Sequence, residues 1–359
     1  MRKTTVLLAL ASLLAPVLLT AQGRAKDVLL ALSKRDGTLS VVDPSSLKVL
    51  ARVPVGKDPH EVVASADGKT AYVSNYGGGA YNTLSVVDLG KQTALPPVDL
   101  GPLRGPHGLA FEAGKTWFTA EAAKAIGSYD PTSGKVDWVL GTGQNRTHMI
   151  FVAKDAKWIV TTNVGSGTVT IIEKGVARPE GPPPPMPHDP TGPPNPPSGM
   201  QGGPMGPPPG DAWEETVVPV GLGAEGFDVS PDGTEIWVAN AQDGTISIVD
   251  VASKKVATLA ASARGANRLK FTPDGKKVLV SSLGDSGLIV LDTRFRQEVK
   301  RIRLGRGAAG IVMQPDGTRA YVACSPDNYV AVIDLQSLQV VGRIDVGPEP
   351  DGLAWATMR

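Results

Sequence analysis

The fold class that the sequence predicts is all-β, a seven-bladed β-propeller of four-stranded blades, and three observations predict it. A short strand ending in an acid recurs seven times, the recurrences share a period near 42 residues, and the two chain ends carry complementary parts of one period. The acids are Asp43, Asp88, Asp130, Glu173, Asp250, Asp292 and Asp334, spaced by 45, 42, 43, 77, 42 and 42 residues. The long interval holds 35 residues beyond one period, and a proline- and glycine-rich stretch at 178–210 accounts for them.

Each period has the same parts. In the fourth they read "GFDVS", "PDG", "TEIWVAN", "GTISIVD" and "KKVATLA". Apolar runs of four to seven residues rich in Val and Ile suit strands. Asp-Gly between the first two is a tight-hairpin signal. The acid that ends the third strand reads as a turn former, bonding backbone two residues on. Four short antiparallel strands in about 42 residues make one propeller blade. A single blade leaves both faces bare, whereas a closed ring covers the faces and the edges. "DVLLALS", "GTLSVVD" and "KVLARVPVG" near the N-terminus match strands two to four of a blade, and "PDGLAWATM" at the C-terminus supplies the missing first strand. The last strand is therefore expected to enter the blade begun at the N-terminus as its innermost strand.

Residues 1–21 read as a secretory signal: Arg2 and Lys3 precede a short apolar run, broken by Pro16, that ends in Leu19-Thr20-Ala21. The propeller is expected over 22–359, in the periplasm or secreted, as a monomer with no transmembrane segment in the mature chain. Removing Arg2 and Lys3 leaves 34 basic against 35 acidic residues, a balance that argues against a nucleic-acid partner. Cys324 is the only cysteine, so no internal disulfide forms, and it reads as a passive strand-end residue.

The repeats "PDGTEIWVANAQDGTISIVDVASKKVATL" and "PDGTRAYVACSPDNYVAVIDLQSLQVVGRIDVG", with the strands "YVSN", "WVAN" and "YVAC", resemble the YVTN-repeat family of seven-bladed propellers, which includes YncE-like exported proteins. The resemblance covers nearly all of the mature chain except the insertion. It implies an exported binding or interaction protein with no single shared chemistry.

One repeat position carries the chemical signal. The residue that opens the innermost strand is His60, His107, His148, Glu225, Asn267, Ala309 and Asp351 in successive repeats. All seven are expected near one mouth of the central channel. With a channel radius of about 8 Å, a histidine reach of about 6 Å and a metal–nitrogen bond of about 2 Å bring three consecutive blades to one ion. His60, His107 and His148 are thus candidate ligands for one zinc, copper, iron or nickel ion. Glu225, on the next blade, is the candidate fourth ligand, acid or base. Against this, "PHG" is a repeat opening whose side chain can cap a loop, and Arg104 and Arg146 would repel a cation if they pointed inward.

Loops between strands two and three reach the same face. They bring Asn75, Tyr76 and Tyr81, with Glu121, Asn163 and Asn240 in positions equivalent to Asn75, whose default role is turn formation. Asn75, Tyr76, Tyr81, Arg104, Arg146 and Asp351 are the candidate ligand-binding residues. The insertion falls between strands three and four of blade three, on the opposite face. Its composition favours extended or disordered chain, and Met186, His188, Met200 and Met205 in it suggest copper capture without a fixed spacing. Two function classes follow: an exported propeller that binds a protein or small molecule at the channel face, and, alternatively, a metal-dependent hydrolase or lyase, lactonase-like, at the histidines.

Overall fold

A computed structural model describes residues 26–175, 213–259 and 263–359. The expected signal at 1–21 and the insertion at 178–210, with Met186, His188, Met200 and Met205, lie outside the described residues. Among the described residues, twenty-eight strands form seven four-stranded antiparallel sheets. Blades 1 to 6 follow one another from the inner strands Pro59–Ala64, Pro106–Glu112, Thr147–Val152, Ala224–Val229, Ala266–Phe271 and Ala308–Met313. Blade 7 unites the chain ends: Pro350–Met358 is its inner strand, and Lys26–Ser33, Thr38–Asp43 and Lys48–Pro54 follow outward. Leu29 lies opposite Trp355 and Ala31 opposite Leu353 in that pairing. The closure expected from the chain ends is the one observed.

Burial explains the apolar patterning. The two middle strands of a blade are covered on both faces by neighbouring blades, so they read as near-continuous apolar runs. Thr70–Asn75 is buried over all but Thr70, and Thr83–Asp88 over all but its two end residues. Outer strands face solvent on one side and alternate, as in Lys48–Pro54. The core therefore sits between blades. Trp237 and Ile246 of blade 4 pack with Leu269 and Val278 of blade 5, and Val28 and Leu30 of blade 7 pack with Val62 and Val73 of blade 1. Cys324 is a fully buried member of one such layer. Among the described residues, no helix is long and apolar enough to cross a membrane.

The turn acids act on the backbone and on nearby hydroxyls. Asp43 Oδ1 accepts the Ser45 amide at 2.9 Å, and Asp250 and Asp334 accept amides three residues on. Hydrogen bonds from the Ser45 and Ser46 hydroxyls and amides hold the Asp43 carboxyl down, from 3.8 to about 2. Asp250 and Asp334 are lowered in the same way by Ser253 and Ser337. Because the folded values lie below the unfolded ones, this stabilisation is complete above the ordinary carboxylate value and is lost as pH falls through the folded value. The melting temperature is expected to fall between about pH 4 and about pH 2. Asp43→Asn, Asp250→Asn and Asp334→Asn together keep the turns but remove the titration, so they flatten that part of the profile. Identical acid profiles for wild type and the triple variant would refute this assignment.

Candidate metal centre at the channel mouth

The residues at the channel mouth are aimed by a repeated irregularity in the backbone. At the start of each inner strand of blades 1 to 6 the register slips, between Pro59 and Val62 in blade 1, Pro106 and Leu109 in blade 2, and Thr147 and Ile150 in blade 3. The two residues inside each slip leave the pleat, which re-aims their side chains. His60 and Glu61, His107 and Gly108, His148 and Met149, Glu225 and Gly226, and Asn267 and Arg268 occupy these bulges. Gly108 is required there, because a Cβ would lie 2.5 Å from the His148 carbonyl oxygen. Thr119 Oγ1 locks the same junction: it accepts the Gly108 amide at 2.9 Å and donates to the His148 carbonyl at 2.8 Å.

A second irregularity precedes the bulges. Two residues before each inner-strand opener the backbone is left-handed, and blades 2, 4, 5 and 6 place Gly105, Gly223, Gly265 and Gly307 there. Blades 1, 3 and 7 use Asp58 (φ 50°), Arg146 (φ 55°) and Glu349 (φ 54°) instead. A side chain at such a position costs free energy. Glu349 pairs with Arg35, whereas Asp58 and Arg146 contact the histidine cluster. Asp58 Oδ1 lies 3.1 Å from His60 Nε2, and Arg146 Nε lies 3.7 Å from Glu121 Oε2.

The three histidine rings lie in a row, tilted to one another by 51° and 34°. The His60 and His107 rings lie 4.8 Å apart and the His107 and His148 rings 3.8 Å apart, with the Tyr76 ring 4.9 Å from His60 and 5.1 Å from His107. The ligating atoms of His107, Glu121 and His148 fall within 4.8 Å of one another. His60 stands beside this group with its two nitrogens facing Asp58 and, at 3.5 Å, Asp351. The convergent set is therefore two histidines and a glutamate, where the repeat geometry had suggested three histidines. The register places Ala120, opposite Pro106, where blades 1, 3 and 4 carry Asn75, Asn163 and Asn240, so Glu121 lies one residue beyond the position that the repeat alignment suggested and corresponds to Tyr76 of blade 1. Its Oε1 is hydrogen-bonded to His148 Nδ1, and its Oε2 accepts the Tyr76 hydroxyl at 2.5 Å. The three residues are buried, at 2% exposure for His107, 6% for Glu121 and 3% for His148.

Charge divides the histidines. Burial, reinforced by the charges of His148 and His60, pushes the His107 pKa well below its ordinary value. It is neutral, and its Nδ1 is buried with no hydrogen-bond partner among the described residues. Burial also opposes charge on His148, but the Glu225 carboxylate and the Glu121 hydrogen bond outweigh it and raise the pKa. His148 Nε2 lies 3.0 Å from Glu225 Oε1, an ion-pair distance, without the alignment of a hydrogen bond. The His148 charge in turn overcomes burial at Glu225 and holds it at about 2. In this arrangement Glu225 is the counter-ion of His148.

The other expected site residues divide between the mouth and the fold. Asn75 is buried and donates to Thr83 and Ser85, as Asn163 does to Thr168 and Thr170 and Asn240 to Thr245 and Ser247. This is the turn role. Tyr81 is 39% exposed and packs over Gly77, away from the cluster. The Arg104 side chain is exposed to solvent. Asp351 is buried and forms an ion pair with Lys34 Nζ at 3.1 Å.

Two residues without a sequence signal complete the centre. Arg268 of blade 5 reaches across the channel to Glu61 of blade 1, with Nη2 and Nε 2.6 and 3.2 Å from Oε1. Its Nη1 lies 4.0 Å from Glu225. Beyond this bridge the channel opens into a cavity of about 360 Å³ lined by inner strands of all seven blades, and none of the three histidines lines it.

The architecture recurs in solved structures of low sequence identity. A functionally unknown protein of Desulfotomaculum acetoxidans superposes with a TM-score of 0.70 at 13% identity, over 92% of this chain and 98% of that chain. Kuenenia stuttgartiensis hydrazine synthase gives 0.68 at 18%, over 86% and 92%. A candidate 6-phosphogluconolactonase of Bacteroides uniformis gives 0.68 at 15%, over 92% and 100%. These likenesses establish the propeller fold. No protein-family model and no curated protein matches the sequence.

Proposed function

We propose that this chain is an exported propeller of the YVTN-repeat type that holds one transition-metal ion at the channel mouth and acts there as a metal-dependent hydrolase or lyase. The observation that carries the reading is the convergence of His107, Glu121 and His148, with a buried His107 nitrogen that has no hydrogen-bond partner among the described residues. Two imidazoles and one carboxylate form the donor set of hydrolytic zinc sites and of non-haem ferrous sites. An ion there supplies Lewis acidity to a substrate oxygen. Tyr76 orients the Glu121 carboxylate, and Glu225, 3.0 Å from His148, is the group placed for proton transfer. The repeat strands "YVSN" and "WVAN" support the family, and the basic start followed by a short apolar run supports export.

The test is metal content by mass spectrometry on natively exported protein purified without a histidine tag. About one equivalent of zinc or iron per chain is expected. It is lost in His107→Ala/His148→Ala and reduced in Glu121→Gln. His60→Ala distinguishes the ligand sets: it keeps the metal if Glu121 is the third ligand and loses it if His60 is. Metal-free wild type whose melting temperature is unmoved by added zinc or ferrous iron sinks the proposal.

One observation favours a second reading, a binding protein that uses the channel face. Leu222 and Leu283, on the loops of the mouth face, are 59% and 53% exposed, and apolar loops around a closed polar centre suit a protein partner. A metal-loaded protein without hydrolytic or lyase turnover, but with loss of partner binding in Leu222→Ser/Leu283→Ser, selects that reading.

A further inference from the structure

The tryptophans between blades 2 and 3 form a surface that the channel site does not use. Trp138 is on the outer strand of blade 2 (Lys135–Gly141), and Trp213 opens the outer strand of blade 3 (Trp213–Pro219). The rings of Trp117 and Trp138 are 5.4 Å apart and inclined at 64°, and those of Trp138 and Trp213 are 5.2 Å apart at 55°. The three indoles line a cleft of about 510 Å³ with Lys115, Ala156 and Lys174. The Trp117 N–H donates to the Glu112 carbonyl at 3.1 Å. Among the described residues, the indole N–H groups of Trp138 and Trp213, both half-buried, have no acceptor.

A row of indoles with free N–H donors is matched to a polyproline II strand. Proline rings pack between aromatic ridges, and the carbonyls of such a strand have no internal partner, so they accept from indole N–H groups. We propose that this cleft is a polyproline-binding groove and that its occupant is the chain's own "GPPPPMP" at 181–187.

Placement and tethering support this occupant. Lys174 and Trp213, which lie on either side of the proline-rich stretch in sequence, both line the cleft. Pro182 follows Lys174 by eight residues, a reach of about 25 Å at roughly 3.1 Å per residue. One turn of polyproline II, about 9 Å, is comparable with the row of three indoles. A tethered segment meets its groove at an effective concentration in roughly the millimolar range, so an outside strand competes at a disadvantage.

The test uses the full-length protein and an Asp-specific endoprotease that cuts between His188 and Asp189. Cleavage follows the undocked population when opening is fast. Trp138→Ala, and separately serine at all of Pro182, Pro183, Pro184 and Pro185, are each expected to raise the cleavage rate about fivefold or more. The serine variant is also expected to increase acrylamide quenching of the tryptophan emission. It leaves every described residue unchanged, so a faster rate at an unaltered melting temperature supports docking even if Trp138→Ala fails to fold. Wild-type rates and wild-type quenching in the serine variant overturn the proposal. Protection that grows with protein concentration and accompanies dimers in sedimentation places a second copy's stretch in the groove, and overturns the intramolecular assignment.

Discussion

Deletion of Gly352 to Arg359 is expected to leave an open ring that aggregates. The deleted residues include most of the inner strand of blade 7, and Lys26–Ser33 then loses its partner on the channel side. Val28, Leu29, Leu30 and Ala31 are fully buried in the intact ring, and Leu353 and Ala356 lie in the layers that cover them. Exposing this group costs on the order of 10 kcal/mol, comparable with the whole stability of an ordinary domain. The new edge is also an unpaired apolar strand, a template for pairing with other chains. Sedimentation and thermal unfolding decide the matter. A truncated protein that stays monomeric with an unchanged melting temperature would falsify the closure argument.

Arg268→Met is expected to destabilise the ring by about 3–5 kcal/mol, because it strands buried carboxylates without their partner. Glu61 is held only by this guanidinium among the described basic groups, and Glu225 lies 4.0 Å from it. The side chains of Arg268 and Glu61 are 8% and 13% exposed, so hydration replaces only part of the lost interaction. The net worth of the intact pair is a separate quantity, since ordering and desolvation offset much of the attraction. Arg268→Met/Glu61→Gln is therefore expected to recover much of the loss, and a thermal double-mutant cycle measures the coupling. Additive effects of the two changes would show that the cross-channel bridge carries no coupling.

The repeat, the seven blades and the closing strand were legible because strand burial in a propeller is periodic. Middle strands covered on both faces require unbroken apolar runs, and a period near 42 residues lays those runs down in register. The roles of Asn75 and Asp43 were legible for a related reason: their bonds go to residues within ten positions, to Thr83 and Ser85 and to Ser45. The mouth position of the three histidines was legible because every inner strand opens at the same end of the channel.

The makeup of the centre was not legible. Glu121 lies one residue beyond the turn-forming Asn position with which the sequence aligned it, at the start of a short helical turn whose bend carries the carboxylate to His148. His60 sits at the ligand position of its repeat, yet Asp58 and Asp351 engage both its nitrogens. Arg268 and Glu61 are 207 residues apart and meet only across the closed ring. The sequence by itself determined which strands form, how they pack and which end of the channel the histidines face, because those follow from local periodicity and from burial. Only the tertiary structure decided which charged groups converge, because long side chains from blades distant in sequence choose partners by burial and charge balance within the channel.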